Sequence, residues 1–510
     1  MAFLSTLDRK FLTAVSKLLY SNPFLEEIQI HEREALGAET LEQEAIWSLD
    51  VSDPDRVRGN TWRIIERLEP AMTALRSRLH DAGDADRELY EDGVLYLFYY
   101  KLYPDMAEAT FHKTGKGRWG FYERFREEFQ SFTSRYEPAH IFACYYQICR
   151  AFHHIFEQII GNSAPAARLR ADIWQSLFTH DMRRYQRTLY GRMGEFATLV
   201  TGPSGTGKEL VARSVAMSRY VPFDERRMAF EEELDGLFFP INLAALPGTL
   251  VESELFGHKR GAFTGAVQDK RGWLEACPPL GAVFLDEIGD LDLEIQVKLL
   301  RVIETRSFQA VGEGSGQMRR FQGKLIAATN RDLPLAMRKR KFREDLYYRL
   351  CSDQIVTPSL RQQIDESPEV LGDLILFMAR RVAGAEGDSL AQEAREWVER
   401  NLGADYGWPG NYRELEQCVR NILIRKDYRA AESYPKRRGR EDDLFAEARD
   451  GLLTAEDLLR RYCTLVYSRT GSYEETARRL DVDRRTVKAK VDEELLGRLR
   501  TGKHPIPHRN

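Results

Sequence analysis

Residues 196–209 read FATLVTGPSGTGKE, a short apolar run that breaks into a glycine-rich turn and ends on a lysine and a glutamate. FATLVT has the β-branched and aromatic content of a buried strand, and ELVARSVA after the lysine has the spacing of a helix. Between them Gly202, Gly205 and Gly207 free the backbone, Pro203, Ser204 and Thr206 fill the turn, and Lys208 brings a positive charge. Glycines at the spacing GxxxxGK turn backbone N–H groups toward phosphate oxygens at the mouth of a helix, and the lysine reaches the β and γ oxygens of a nucleotide. Strand, loop and helix in this order predict a parallel sheet covered by helices, with ATP at the C-terminal ends of its strands. Glu209 stands where a hydroxyl residue usually helps to hold magnesium, so the metal needs another ligand.

Further apolar strands, FFPINLA, AVFLD and KLIAATN, alternate with helical stretches from Glu195 to about Ser359, and a helical stretch runs on from about 360 to 430. AVFLDE at 282–287 ends in two adjacent carboxylates at the strand end where ligands bind. A buried acid pair is costly, so Asp286 is expected to hold Mg2+ and Glu287 to polarise the attacking water. Asn330, closing KLIAATN, is suited to sense the γ-phosphate. HKTGKG at 112–117 also pairs Gly with Lys, but it lacks a preceding strand and the first glycine and is not read as a phosphate loop. GAFTGA at 261–266 sets Phe263 and Thr264 between small residues that supply no packing, so the ring is either pinned by neighbours or presented to a partner.

Taken together, GPSGTGKE, ESELFGHKRGAFTGA, AVFLDE, AATNRDL, FREDLYYRL and YGWPGNYREL resemble the AAA+ domain of bacterial enhancer-binding proteins, the activators of sigma-54 RNA polymerase, over about residues 185–425. The resemblance implies an ATPase that assembles from a dimer to a hexameric ring and remodels the sigma-54 holoenzyme. It implies Arg343 and Arg349 as fingers toward a neighbouring subunit's γ-phosphate, Arg413 as a second sensor from the helical lid, and Asn242 as the asparagine that restrains Glu287. Phe263 and Thr264 become the sigma-54 contacts. Three features depart from the family. Pro203 replaces a common Glu, PSLRQQIDES at 358–367 replaces a more basic linker, and RYVPFDERRMAFEEELDGLF at 219–238 is longer than the usual connection.

Lys and Arg number 75 against 79 Asp and Glu, a net charge of −4, so DNA binding must rest on a local basic surface. SYEETARRLDVDRRTVKAK at 472–490 supplies one: two short helix patterns flank a DVD turn, with Ala477, Leu480, Val482 and Val487 inward and Arg478, Arg479, Arg484, Arg485, Lys488 and Lys490 available outside. It resembles the small factor-for-inversion type helix-turn-helix, which implies upstream double-stranded DNA as a partner and Arg484, Arg485 and Lys488 as contacts. Asp481 replaces the small residue usual in such turns, and Asp tolerates a left-handed backbone.

The front of the chain reads as helical, with helices around 5–20, 60–79, 87–103 and 139–160 and breaks at Pro23, Pro54, Pro104 and Pro138. FYERFREEFQSF stripes one face with Phe121, Phe125, Phe129 and Phe132. His153 and His154 read as one inward and one outward residue of a helix and not as metal ligands. Six scattered cysteines read as buried thiols, and no run is long enough to span a bilayer, so a cytoplasmic protein is expected. GNSAPA at 161–166 reads as a hinge and 426–443 as a solvated linker. The expected organisation is a helical regulatory domain at 1–165, an α/β subdomain at 166–359, a helical lid at 360–430, a linker at 431–451 and a helix-turn-helix domain at 452–510. Two rival functions are a repressor whose ATPase-like domain only oligomerises and an AAA+ remodeller of another complex. The first predicts damage to Lys208, Asp286, Glu287 or GAFTGA, all of which are intact; GAFTGA and the basic C-terminal unit speak against the second.

Overall fold

The computed structural model describes residues 3–40, 59–112, 115, 117–234, 236–314, 317–430, 453–492 and 495–496. The expected linker at 431–451, Pro54 and part of HKTGKG lie outside the described residues. The chain divides into two compact units, 1–396 with 410–428, and 397–409 with 429–510.

The first unit begins with seven helices: α1 (Thr6–Tyr20), α2 (Glu27–Leu36), α3 (Gly59–Arg76), α4 (Asp84–Phe111), α5 (Tyr122–Phe132), α6 (Pro138–Gln158) and α7 (Ala164–Phe178). Ser5 and Ser163 cap α1 and α7 by accepting from Asp8 N and Ala166 N, and Pro138 and Pro165 sit in first turns, where no N–H is needed. Pro104 does not end its helix, contrary to expectation: α4 runs through it to Phe111. Buried residues on both sides of it, Val94 to Phe98 and then Leu102, Met106 and Ala109, hold α4 in the core and outweigh the lost hydrogen bond. Of the phenylalanine stripe, Phe125 and Phe129 are buried, and Phe121 and Phe132 are half-buried.

Five parallel strands follow, β1 (Thr198–Thr201), β2 (Phe238–Asn242), β3 (Ala282–Asp286), β4 (Lys324–Thr329) and β5 (Asp353–Val356), in the order β2-β3-β4-β1-β5. The four strands read in the sequence are present. β5 was not among them because DQIV is short and polar, with only Ile355 buried. β1 lies between β4 and β5, so the chain leaves β1 for the far edge of the sheet and opens a crevice at its C-terminal end. The helices on this sheet and beyond it include α8 (Lys208–Met217), α9 (Gly248–Phe256), α10 (Leu293–Thr305), α11 (Glu344–Leu350), α12 (Leu360–Glu366), α13 (Val370–Ala383) and α14 (Asn411–Arg425).

The front helices and one face of the sheet share an apolar core in which Phe125, Phe142 and Ile155 join Val211, Val215, Phe284 and Ile326. The overlong stretch at 219–238 explains this. It folds a hairpin, Phe223–Asp224 with Ala229–Phe230, whose rings enter the aromatic cluster of α5 and α6. Phe142 lies 4.7 Å from Phe223, and Tyr146 stacks on Phe230 at 3.8 Å. The segment 161–166, expected as a hinge, is closed: Ser163 is fully buried and its Oγ donates to Gln363 Oε1 at 3.2 Å. Glycine, serine and proline there start a capped helix instead of loosening the chain.

The second unit contains α15 (Ala455–Thr470), α16 (Tyr473–Leu480) and α17 (Arg484–Lys490), packed on one another through Cys463, Leu465, Ala477 and Val487. Asp481 takes the left-handed conformation, φ 53° and ψ 45°, between the last two. Leu480 and Val482, expected inward, are half-buried.

Candidate active site

The phosphate loop sits where β1 meets α8. Gly202 has φ 149°, and a Cβ there would lie 2.6 Å from the Thr357 carbonyl oxygen. Gly205 has φ 78°, and a Cβ would run into the Gly410 carbonyl and lie 3.3 Å from Arg413 Cβ. Only glycine lets the loop close against both neighbours. Two residues missed in the sequence hold it there. Thr357, buried after β5, shares a 2.6 Å hydrogen bond with Thr206 Oγ1, and its N–H donates to Thr201 O at 2.8 Å. Asn411, buried at the start of α14, donates from Nδ2 to Ser204 O at 2.8 Å and accepts from Leu360 N at 2.8 Å. An asparagine between the glycine and tyrosine of WPGNYREL was the available signal.

Lys208 opens α8, and its Nζ donates to Gly202 O and Pro203 O at 3.1 and 3.2 Å. Burial pushes its ammonium below the usual lysine range, against the pull of Glu287 and Asp286, while Arg413 adds to the lowering. Asp286 ends β3; burial and the Glu287 carboxylate hold its carboxyl above the usual range. Glu287 takes a left-handed conformation, φ 57°, which a β-carbon makes costly. The Asn330 N–H donates to Glu287 Oε2 at 3.3 Å, and the Glu287 N–H donates to Asp286 Oδ1 at 3.0 Å. Lys208, Asp286, Glu287, Asn330 and Arg413 thus meet at one edge of the sheet, and Glu209 adds its charge to Asp286. The arrangement fits a nucleotide with a divalent cation: glycine amides and a lysine suit phosphate oxygens, and paired carboxylates suit a hard metal.

Asn242, Arg343 and Arg349 stand differently. Asn242 is exposed at the end of β2, in register with Asp286 on β3. Arg343 precedes α11 and pairs with Asp345 at 2.6 Å, while Arg349 pairs with Glu304 of α10 at 3.2 Å. Elsewhere, His153, His154 and Glu157 bring ligating atoms within 4.8 Å of one another. Both histidines are half-buried, not one in and one out. Burial, with Arg150, His153 and Arg213 nearby, pushes His154 down to about 3, and a cation there would face two guanidinium groups.

GAFTGA forms a tight turn between α9 and β3. Gly261 N donates to Ala266 O at 2.9 Å and Ala266 N to Phe263 O at 3.0 Å, with Gly261 and Gly265 at φ 80° and 100°. Its neck is pinned: His258 bridges to Lys270 and Val311, Arg260 N donates to Asp269 Oδ1 at 2.8 Å, and His258 Nδ1 bonds Ser253 Oγ at 2.7 Å. Phe263 is half-buried with its ring edge-on to His258 at 4.9 Å, and Thr264 is exposed. The ring is therefore both braced and accessible.

In the second unit Arg484, Arg485 and Lys488 are exposed on α17. Arg484 pairs with Glu474, Lys490 with Glu456, and Arg478 and Arg479 with Glu475. Arg485 and Lys488 share no ion pair among the described residues. Also among the described residues, no helix is long and apolar enough to cross a membrane.

Residues 179–356 match the family described as the sigma-54 interaction domain. The chain is 39% identical over 244 residues to the regulatory protein LuxO of Vibrio cholerae, spanning 48% of this chain and 49% of that one. It is 38% identical over 276 residues to the DNA-binding transcriptional regulator NtrC of Azospirillum brasilense, spanning 52% and 53%. It is 42% identical over 226 residues to the Nif-specific regulatory protein of Azotobacter vinelandii, spanning 44% and 39%. The chain spans about half the length of the curated relatives it matches. Among solved structures, NtrX from Brucella abortus in complex with ATP is similar at a TM-score of 0.40 and 22% identity, over 71% of this chain and 77% of that one. The matched residues carry the phosphate loop, the GAFTGA turn and the Asp286–Glu287 pair on one parallel sheet, and over residues 179–356 the chain is similar to the sigma-54 interaction domain.

Proposed function

We propose that the protein is an ATP-dependent transcription activator that binds upstream DNA, assembles as a ring and remodels the sigma-54 holoenzyme to open promoters. One observation carries the reading: the same α/β unit holds an intact phosphate loop, a carboxylate pair at the strand end, and a GAFTGA turn with Thr264 exposed on a pinned neck. In this reading Lys208 and the loop amides bind the phosphates of ATP, and Glu287 takes a proton from the attacking water. Asp286 would hold magnesium, which when bound would supply positive charge at the phosphates. Asn330, whose N–H already touches Glu287, reports the γ-phosphate to that carboxylate. Arg413 senses nucleotide from α14, and Asn242, in register with Asp286, restrains Glu287 until the ring is ready.

Arg343 and Arg349 act in trans. Their positions by α10 and α11, paired with Asp345 and Glu304, suit arginines that serve a neighbouring subunit's ATP. Phe263 and Thr264 touch sigma-54, the ring giving apolar contact and the hydroxyl a directional bond. α16 and α17 form the DNA-reading pair, in which Arg484, Arg485 and Lys488 meet the major groove and a dimer spans half-sites about 34 Å apart or a multiple of it. The test is in-vitro transcription from a sigma-54 promoter. Open complexes are expected with ATP and not with a non-hydrolysable analogue; activation independent of hydrolysis, or none in any nucleotide, overturns the reading.

A further inference from the structure

At the N-terminal end of the sheet, the front helices and the ATPase core enclose a partly open cavity of about 170 Å³. It is lined by Arg219 and Lys324 together with Tyr185, Tyr190, Tyr220 and Gln147. Two cations in such a place need an explanation. Lys324, at the first position of β4, is 3% exposed, and its Nζ donates only to backbone, to Phe196 O at 3.2 Å and Met193 O at 3.4 Å. Arg219 donates to Gly281 O at 2.7 Å and Pro279 O at 3.3 Å. Carbonyl oxygens satisfy their N–H groups without neutralising their charge.

The charge balance around the cavity is positive. Arg306 lies close enough to act on both Lys324 and Arg219, and it too is held by carbonyls, at Gly194 and Gly323. Asp353, tied down by Ser176 and Thr198, acts on Lys324, and Glu195 acts on Arg306, but among the described residues none of the three cations is held in an ion pair. The walls are aromatic: Tyr190 packs on Tyr220 at 4.6 Å, and the Tyr185 hydroxyl donates to Gln147 Oε1 at 2.7 Å. A cavity of about 150 Å³ accommodates a single benzene ring.

We propose that this cavity binds a compact organic monoanion about the size of benzoate, its carboxylate received by Arg219 and Lys324 and its body packed among the tyrosines. A carboxylate matches the Arg219 fork, and the small tyrosine-lined volume suits a flat aromatic body. Arg219 and Lys324 reach the cavity from the ATPase core, Gln147 and Tyr185 from the front, so the site exists only in the joined structure. Lys324 also begins the strand after which Asn330 contacts Glu287.

Benzoate serves as the probe and benzamide, a neutral molecule of nearly the same shape, as its control, each titrated into the full chain by calorimetry with thermal melting in parallel. Benzoate is expected to bind saturably, about tenfold or more tighter than benzamide, as one charge-assisted bond implies. Lys324→Met should abolish that preference. Gly191→Leu tests the site by a different route, adding bulk at a lining residue where a Cβ would meet nothing within 4 Å. It should weaken both probes while leaving the melting temperature of the free protein unchanged. Equal affinity for the two probes, no saturable benzoate binding, or undiminished binding in a folded Gly191→Leu chain overturns the proposal.

Discussion

The two ends of the parallel sheet are built in opposite ways. At the C-terminal end the chemistry comes from contiguous stretches, 202–209 and 286–287 with Asn330, and opposite charges face one another, Lys208 against Asp286 and Glu287. At the N-terminal end Arg219, Arg306 and Lys324 come from three separate segments and face backbone carbonyls. The first end has the form of a site for a substrate that brings both phosphates and a cation. The second is a place where burial and charge are in conflict, eased by backbone carbonyls. What a change does at either end should follow from that difference.

The largest effect belongs to the motif end. Glu287→Gln keeps shape and hydrogen bonding but removes the proton acceptor, and should cut ATP turnover by about 10²–10⁴ while ATP still binds. Lys208→Ala should instead abolish binding. Steady-state hydrolysis and fluorescent-nucleotide titration separate the two. If Glu287→Gln hydrolyses ATP at the normal rate, the carboxylate pair is not the catalytic pair.

The contrast also decides what was legible. A phosphate loop is short, carries its own glycines and follows its own strand, so GPSGTGKE and AVFLDE announce themselves without an alignment. Thr357 and Asn411 hold the same loop from 150 and 200 or so residues away, and nothing beside them in the chain marks the contact. The front helices were legible as helices because Phe125 and Phe129 repeat at helical spacing; Pro104 misled because its local cost is real but smaller than the burial on either side. The hinge reading at 161–166 failed for a related reason. Gly, Ser and Pro are the residues of linkers and also of helix starts, and only the packing of Ser163 against Gln363 distinguishes the two. The unusual length of 219–238 was visible, but its purpose, Phe223 and Phe230 entering the front core, was not.

The shared core predicts that the front is inseparable from the α/β sheet in folding. Phe142 is fully buried among Tyr122, Phe223 and Phe230. Phe142→Ala should cost about 3–5 kcal/mol. Circular dichroism and loss of nucleotide binding should report one coincident transition, shifted to lower temperature. Two separated transitions, with nucleotide binding surviving the first, would mean that the front helices are a detachable domain.

At the cation end the sign of the pH dependence is fixed by burial. Lys324 is pushed down to about 8 from the usual 10.5, so the unfolded chain holds this proton more tightly than the folded one. Below pH 8 the buried charge costs its full penalty, and the penalty disappears as the pH rises from about 8 to 10.5. Lys324→Met should therefore be the more stable protein at pH 7, by up to about 3 kcal/mol, less about 1 for the carbonyl bonds it gives up. By pH 10.5 the advantage should be gone. Urea unfolding at both pH values checks it; a variant less stable at pH 7 would show that Lys324 is compensated in a way its carbonyl partners do not reveal.

The smallest effect on the fold is expected at GAFTGA, together with a loss of promoter opening. Thr264 is exposed and bonded to nothing that the turn needs, since the closing bonds run between Gly261 and Ala266 and between Phe263 and Ala266. Thr264→Ala should change stability by no more than about 0.5 kcal/mol. Phe263→Ala removes a half-buried ring that touches His258 from one side, and should cost about 1 kcal/mol, well short of a core phenylalanine. Both variants should hydrolyse ATP at a substantial rate, because the turn and the Asp286–Glu287 pair lie on separate elements. Neither should bind sigma-54 in the presence of a transition-state analogue, nor open a promoter. A large fall in melting temperature for Phe263→Ala would make the ring part of its own subunit's core, and normal promoter opening by both variants would leave GAFTGA as a turn with no partner. The pinned neck favours folded variants that fail to open a promoter: Asp269, His258 and Val311 already hold the base of the loop, so little of the fold depends on its tip.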